Sequence, residues 1–247
     1  MKGKITGCRA LILGGTCDLA LGLAQALAEE GVCPILTWRS DTGKGRMHEA
    51  LMHMDGAFEA VNCDLGQKET LSALSPVLDK GIDYLVDFAQ GDLEGLVASV
   101  DAEEVSAYVE VNIANRAEVI QQVSRAMVSR RKGRMVYISS AAAGRPNPGQ
   151  GFYAAAKLAS EALYRNAGLE LASRGVTTVI LRPGYINAGR GRCYLASNGD
   201  TVLAKVPLGR ALEIGEVVAA ILFLLSDGAA GFNATILTMD GGLTAGK

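Results

Sequence analysis

The sequence predicts an α/β protein with a doubly wound parallel sheet of about seven strands and helices on both faces. Short apolar runs recur along the chain, and amphipathic stretches with apolar residues three and four positions apart lie between them. Strands that alternate with helices form parallel sheets, because each crossover helix returns the chain to the same end of the sheet.

The apolar runs lack the polar alternation of a half-solvated sheet, which is typical of strands buried on both faces. The predicted strands are Ala10–Leu13, Pro34–Trp38, Ala57–Val61, Ile82–Phe88, Arg134–Ile138, Val176–Leu181 and Thr235–Met239. The intervening stretches are rich in Ala, Leu and Glu, which favour helices. The predicted helices are Leu19–Glu30, Asp41–Met54, Gln67–Leu78, Ala102–Arg131, Tyr153–Ser173 and Glu213–Leu225. Ligands of such folds bind outside the carboxyl ends of the strands, so we expect functional residues there.

The composition is typical of one globular domain spanning residues 1–247. The chain is 49% hydrophobic and 20% charged, and its net charge of -2 gives no electrostatic reason to bind nucleic acid or an anionic membrane. The 5 cysteines are odd in number and never spaced as C-x-x-C, which argues against a disulfide framework and a zinc site. The apolar runs are too short for a signal peptide or a membrane span. We therefore expect a cytoplasmic protein without a bound metal.

A glycine-rich turn joins the first strand to the first helix, at a position where a helix N-terminus can bind phosphate. Gly14 and Gly15 allow a sharp turn, and Thr16 offers a hydroxyl. Asp18, followed by Leu19, is placed to cap the helix. Glycine-rich turns are also common as plain connections, so the turn alone leaves both a dinucleotide site and a simple strand-to-helix turn open.

The ends of the second and third strands carry the next candidate residues. Arg39 and Ser40 follow the second strand, where the adenosine ribose of a dinucleotide would lie. A guanidinium there can pair with the 2′-phosphate of NADP(H), so Arg39 favours NADP(H) over NAD(H); the alternative is a solvated arginine. Asp64, followed by Leu65, either binds an adenine amino group or caps the next helix.

The most specific pattern joins Ser140, Tyr153 and Lys157. Tyr153 and Lys157 are four positions apart at the start of a predicted helix, so they project from one face, and Ser140 follows the fifth strand. An adjacent ammonium would lower the pKa of Tyr153 toward the range of a useful proton donor. Ser140 could hold a carbonyl oxygen that Tyr153 protonates as hydride arrives. Asn112 either carries water or a hydrogen bond to the lysine, or satisfies a backbone group.

With these residues, the sequence resembles the short-chain dehydrogenase/reductase family, in its 3-oxoacyl-[acyl-carrier-protein] reductase-like branch. The resemblance covers nearly the whole chain and extends through Arg182-Pro183-Gly184-Tyr185-Ile186 to Asp240-Gly241-Gly242. It implies a Rossmann-like fold, hydride transfer from a nicotinamide, a homotetramer or homodimer, and a catalytic tetrad of Asn112, Ser140, Tyr153 and Lys157. Together with the residue arguments above, the predicted cofactor-binding residues are Gly14, Thr16, Asp18, Leu19, Arg39, Ser40, Asp64, Leu65, Ala89, Gln90, Tyr153, Lys157, Pro183, Gly184 and Ile186.

The chain departs from the family pattern at three places. The family's glycine turn, T-G-x-x-x-G-x-G, has lost two glycines here, to Asp18 and Ala20. A carboxylate at Asp18 would repel a pyrophosphate by about 1 kcal/mol or more unless it turns inward as a cap. The family's Asn-Asn-Ala-Gly and a later threonine are also replaced, by Asp87-Phe88-Ala89-Gln90 and Ala188. We expect a cofactor site, with an affinity that these replacements leave open.

Substrate and partner residues are less specific. The segment Ala188 to Asp200 is where a substrate-covering loop belongs, and it contains Arg190 and Arg192. By register with carrier-protein-dependent relatives, Arg131 and Arg174 match basic residues that contact acyl carrier protein. The basic run around Arg131 is also typical of a solvated helix end, which is the interpretation we favour.

The sequence thus predicts an NADPH-dependent reductase that converts a ketone, preferably a 3-oxoacyl thioester of fatty acid metabolism, to the secondary alcohol. Two alternatives remain open. One is a reductase of another carbonyl compound in secondary metabolism, with the same tetrad. The other is a non-catalytic family member whose dinucleotide binding is weakened, which Asp18, Asp87, Phe88 and Ala188 motivate.

Overall fold

Seven parallel strands form one sheet in the order β3-β2-β1-β4-β5-β6-β7. The computed structural model describes residues 5–54 and 56–245. The strands are Arg9–Leu13 (β1), Cys33–Trp38 (β2), Glu59–Asn62 (β3), Tyr84–Asp87 (β4), Gly133–Ile138 (β5), Val176–Pro183 (β6) and Thr235–Met239 (β7). The predicted doubly wound α/β fold is confirmed, with strand ends within two residues of those predicted.

The helices are Asp18–Glu29 (α1), Asp41–Ala50 (α2), Ser75–Asp79 (α3), Ala102–Val109 (α4), Arg116–Arg130 (α5), Gly151–Leu171 (α6), Gly189–Leu203 (α7) and Ile214–Leu225 (α8). They cover both faces of the sheet. Along β1, Ala10 and Ile12 join the apolar core under α1 and α8, whereas Leu11 and Leu13 join the core under α5 and α6. Successive side chains of a strand point to opposite faces, so each strand contributes to both layers.

Three predicted helices are interrupted, and the first of them, 41–54, is α2 followed by a 3-10 turn at Met52–Met54. The stretch 67–78 is a 3-10 helix, Lys68–Leu74, followed by the short α3, whose Pro76 lies in its first turn, where a missing N–H costs nothing. The stretch 102–131 contains a π-helical segment, Glu110–Asn115, between α4 and α5. Apolar spacing does not distinguish these helix types over so few residues.

The segment predicted as a substrate-covering loop is instead the helix α7, which corrects that expectation. Gly191 in this helix allows close packing, since a Cβ there would lie 2.4 Å from the carbonyl oxygen of Ile186. The Asp18 carboxylate accepts a hydrogen bond of 2.8 Å from the Gly189 N–H and so anchors the first turn of α7.

The N-terminal and C-terminal helices α1 and α8 pack side by side on one face of the sheet. Gly22 permits the contact, because a Cβ there would already lie 3.1 Å from the Ile214 side chain and 3.5 Å from Val218. A capping box of Glu213 and Glu216 begins α8 and satisfies its first N–H groups. Within the described ranges, no helix is long and apolar enough to cross a membrane.

Candidate active site

The carboxyl ends of β1, β4, β5 and β6 lie next to one another, because these strands are neighbours in a parallel sheet. This edge collects residues from four separate parts of the chain. The turn after β1 touches the turn after β4, since a Cβ at Gly14 would lie 2.8 Å from the backbone nitrogen of Ala89. Gly14 has a φ of 70°, a left-handed conformation that glycine adopts without strain.

Ser140, Tyr153 and Lys157 come together at the end of β5. Tyr153 and Lys157 occupy successive turns at the start of α6, and the Lys157 Nζ lies 5.7 Å from the centre of the Tyr153 ring. The Ser140 hydroxyl is close enough to the Tyr153 phenol to lower the pKa of Tyr153. The Lys157 Nζ donates a hydrogen bond of 2.8 Å to the carbonyl oxygen of Ile138, the last residue of β5. A carbonyl oxygen beside Ser140 and Tyr153 would thus meet two hydroxyl groups.

The electrostatics of this group differ from the sequence-based expectation. Burial raises the pKa of Tyr153, and the neighbouring Ser140 hydroxyl and the charge of Arg190 offset this rise only in part. Lys157 was expected to lower this pKa, but the lysine is itself buried in the same site. Burial, followed by the like charge of Arg116, lowers the pKa of Lys157 to about 7. Its ammonium is therefore only partly populated at neutral pH in the protein alone.

Asn112 lies in the π-helical segment, and its side chain is hydrogen-bonded to other groups of the chain. Its Nδ2 donates to the carbonyl oxygen of Tyr108 at 2.9 Å. Its Oδ1 accepts from the Gly91 N–H at 2.8 Å and from the Gln90 Nε2 at 3.1 Å. The side chain therefore satisfies backbone groups and holds the segment after β4, and none of these hydrogen bonds goes to Lys157.

A buried ion pair between Asp87 and Arg116 lies behind the site, and only one of its two residues was noted from the sequence. Asp87 was noted as a replacement, but its partner, Arg116, was not; both side chains are completely buried. The available signal was the position of Arg116, which lies on the face of α5 that also buries Val119, Ile120 and Val123. An arginine on the apolar face of a helix indicates a buried acidic partner, because an unpaired buried charge is unfavourable.

The first turn of α1 offers backbone N–H groups to an anion. Its N-cap residue, Cys17, makes no side-chain capping hydrogen bond, and Thr16 and Leu19 are only partly buried. Asp18 does not cap the helix, which corrects that prediction, because it is already the first helical residue. Its carboxylate instead pairs with Arg46 and lies 3.8 Å from a guanidinium nitrogen of Arg192. These two arginines were not predicted as site residues.

The predicted adenosine side is open and polar. Arg39 is exposed, and the Ser40 hydroxyl caps α2 by accepting from the Gly43 N–H at 3.2 Å. Asp64 accepts from the Gly66 N–H at 2.9 Å, so it closes the turn after β3 and does not cap the following 3-10 helix. The carbonyl oxygen of Leu65 accepts from Asn115 at 2.7 Å, which ties this turn to the start of α5.

The segment after β6 lies on the side of the site away from the adenosine region. Pro183 ends β6, and Gly184 is required there because a Cβ would lie 2.8 Å from the Asp240 Cα. Ile186 bridges to Leu212, and the buried Ala188 leads into α7. Gln90, after β4, donates to the Tyr108 hydroxyl at 2.7 Å.

Helix α7 reaches the mouth of the site through its first two turns. Arg190 forms an ion pair with Asp92, in the segment after β4, at 2.6 Å. Tyr194 stacks on Tyr185 with ring centres 6.2 Å apart.

The two arginines considered for carrier-protein binding lie elsewhere. Arg131 ends α5 in a left-handed conformation before β5, and Arg174 is exposed just before β6. Residues that precede strands lie at the amino edge of a parallel sheet, opposite Tyr153. Neither arginine therefore lines the site of its own protomer.

The chain is similar to known proteins over nearly its whole length. Residues 16–244 match the family model described as enoyl-(acyl carrier protein) reductase. The 3-oxoacyl-[acyl-carrier-protein] reductase FabG of Vibrio cholerae is 30% identical over 246 residues, covering 98% of each chain. FabG of Escherichia coli K12 is 29% identical over 243 residues, again covering 98% of each.

Solved structures agree as well. A short chain dehydrogenase/reductase family protein superposes with a TM-score of 0.86 at 27% identity, covering 98% of this chain and 99% of that one. The structure of gox2181 superposes with a TM-score of 0.89 at 25% identity, covering 96% of each chain.

Proposed function

The chain belongs to the short-chain dehydrogenase/reductase family, and we propose that it is an NADPH-dependent reductase of ketones, in particular of 3-oxoacyl thioesters. In this proposal residues 1–247 act as one catalytic domain. The observation that carries it is the meeting of Ser140, Tyr153 and Lys157 at the carboxyl end of β5. The names of the relatives, 3-oxoacyl-[acyl-carrier-protein] reductases, support the substrate class.

The residues of the first turn fit the diphosphate of a dinucleotide. The first N–H groups of α1 have no side-chain cap, and Gly14 lets the backbone turn sharply beside them. The Asp18 carboxylate already lies among Arg46, Arg192 and the Gly189 N–H, so these groups favour an anion at this position. Arg39 would hold the 2′-phosphate, and Lys157 would hold ribose hydroxyls. Bound NADPH would supply the hydride.

The side chains then divide the work on the carbonyl group. Ser140 donates a hydrogen bond to the carbonyl oxygen and fixes its position. The Tyr153 hydroxyl transfers its proton to that oxygen, which becomes the alcohol. Lys157, when protonated, stabilises the phenolate left on Tyr153. Asn112 supports the segment after β4 and so acts on position only.

Cofactor selection follows from Arg39. NADPH at a hundred times its dissociation constant should stabilise the fold by about 2.7 kcal/mol in a thermal-shift titration. We expect Arg39→Ala to weaken NADPH binding about tenfold and to leave NADH binding unchanged, because only NADPH carries the 2′-phosphate. Arg165→Ala, which removes an exposed arginine of α6, is the matched control. Equal stabilisation of the wild-type protein by both cofactors would exclude Arg39 as the selecting residue.

Asp18 should weaken cofactor binding, because its carboxylate competes with the diphosphate for the same donors. Asp18→Asn is therefore expected to tighten NADPH binding about fivefold to tenfold, equivalent to about 1 kcal/mol. Titration by NADPH fluorescence measures this change. Glu103→Gln, in the first turn of α4, controls for a general loss of acidic charge. Weaker binding by Asp18→Asn would instead mean that the link to Gly189 is needed to hold α7 in place.

The contacts of Asp18 also favour a second candidate function, that of a family member that binds dinucleotide weakly and does not catalyse. Stabilisation of the wild-type protein by neither cofactor, with stabilisation restored in Asp18→Asn, would favour this candidate. Comparison of 3-oxoacyl thioesters, free and attached to acyl carrier protein, with simple ketones would test the substrate class and the proposed carrier-protein partner. Preference for simple ketones would favour a reductase of another carbonyl compound.

A further inference from the structure

We propose that the buried Asp87–Arg116 pair is a positioning pair that fixes the turn after β4 and keeps two opposite charges balanced beside Lys157. The inference rests on the proposed function in assigning Lys157 to catalysis. It concerns two residues that do not touch the reacting atoms, and it can be tested on the protein without a substrate.

The pair holds the turn through both of its partners. Asp87 accepts from the Ala89 N–H at 2.9 Å, while Arg116 donates to the Ala89 carbonyl oxygen. Arg116 also donates to the carbonyl oxygen of Asn112 at 3.0 Å. One guanidinium thus ties together β4, the turn that follows it and the π-helical segment. The turn in question touches Gly14, where the dinucleotide is proposed to bind.

The pair and Lys157 share one aromatic ring. The Tyr137 ring centre lies 5.3 Å from the Arg116 guanidinium carbon and 5.0 Å from the Lys157 Nζ. Tyr164 stacks on Tyr137 at 4.9 Å and donates its hydroxyl to Asp87 at 3.0 Å. Two cations and one carboxylate are therefore packed around two rings, in a region where burial leaves little water to screen them.

Four charged groups from four elements act on Lys157. Arg116 of α5 and Arg190 of α7 disfavour its ammonium, whereas Asp87 of β4 and Glu161 of α6 favour it. Glu161 is already engaged by Arg182 in a bidentate ion pair and by the Ser139 hydroxyl at 2.5 Å. Arg190 lies at the mouth and pairs with the exposed Asp92. Of the charged groups that act on Lys157, only Asp87 and Arg116 form a pair in which both side chains are completely buried.

Removing one partner at a time should move the titration of Lys157 in opposite directions. In Arg116→Met the Asp87 carboxylate remains and favours the ammonium, so we expect Lys157 to titrate about one pH unit higher. In Asp87→Asn the guanidinium remains, so we expect it to titrate about one pH unit lower. The double variant Asp87→Asn/Arg116→Met should titrate close to the wild type. Arg116→Lys, which keeps the charge and loses the fork of donors, should also stay near the wild type.

The measurement is thermal stability from pH 6 to pH 10, made for each variant with Lys157 and again with Lys157→Met. For each variant, the difference in stability between the protein with Lys157 and the protein with Lys157→Met reports the titration of Lys157 alone. This measurement needs no turnover. Asp87→Asn leaves Arg116 buried and unpaired, so this variant can fail to fold. The inference is then tested by comparing the titration of Lys157 in Arg116→Met with that in Arg116→Lys and in the double variant. A purely structural pair would destabilise the fold without opposite shifts.

Two outcomes separate this inference from the proposed function. If Lys157 titrates at the same pH in all variants, the inference is wrong, whatever the activity. If the opposite shifts occur while the wild type reduces no ketone, the inference holds and the proposed function fails. Where turnover is observed, the pH profile of kcat should shift in the same direction as the stability measurement. A profile that stays fixed while Lys157 shifts would contradict the assignment of Lys157 to proton transfer.

Discussion

Tyr153→Phe is expected to lower kcat for ketone reduction by about 10²- to 10⁴-fold, the usual contribution of a positioned general acid. The substitution removes the hydroxyl next to Ser140 and leaves the ring beside Lys157. Because the ring remains, NADPH should bind within a few-fold of its wild-type affinity. Steady-state kinetics and a fluorescence titration with NADPH measure the two quantities separately.

Tyr185→Phe provides the matched control, since it also removes one tyrosine hydroxyl but does so at the mouth, where Tyr185 stacks on Tyr194. We expect this variant to keep a kcat close to that of the wild type. Most of the activity surviving in Tyr153→Phe would exclude Tyr153 as the proton donor. A loss of NADPH binding in that variant would mean that the ring itself holds the cofactor.

The second large effect concerns the pH dependence of stability. The pKa of Lys157 is about 7 in the folded protein and 10.5 as its ordinary value, so between these values the unfolded chain binds more protons. The free energy of unfolding therefore rises with pH in this window and falls as the pH approaches 7. Relative to Lys157→Met, which carries no titrating group at this position, the wild type should gain about 3 kcal/mol between pH 7 and pH 9.5.

Urea unfolding of both proteins at several pH values measures this gain. Lys205→Met, which removes an exposed lysine after α7, serves as the control and should show no such slope relative to the wild type. A flat difference between wild type and Lys157→Met over the whole window would mean that Lys157 stays fully protonated inside the fold. The partial ionisation that we infer for the resting protein would then be wrong.

The central strands were predictable because they are apolar runs buried on both faces, which hydrophobicity marks, whereas the edge strands β3 and β7 are only partly buried. Ser140, Tyr153 and Lys157 were also predictable as neighbours, since strand ends share one edge and the helix repeat aligns residues four apart. The charge state of Lys157 was not predictable. It depends on how deeply the amine is buried and on Arg116, which lies far away in sequence.

Other features were missed because their cause is a contact between distant residues. The start of α7 depends on the Asp18 carboxylate, which meets Gly189 only in the folded chain. Asp18 does not cap α1, the local role that its position suggested, because the helix begins one residue earlier than predicted and Asp18 is its first residue. The ion pair of Asp87 with Arg116 likewise joins the end of β4 to α5. The apolar spacing of α5 indicated a helix, but the charge of Arg116 within that spacing was not recognised as buried.

The packing of α1 against α8 has a consequence for synthesis on the ribosome. α1 emerges directly after β1, but α8, which covers it at Gly22, follows only after β6. Throughout most of translation the side of α1 around Gly22 therefore lacks its native partner, although the rest of the helix can pack on the early strands. A nascent chain that stalls before Ile214 keeps this side exposed, which makes stalled products targets for chaperones and proteases.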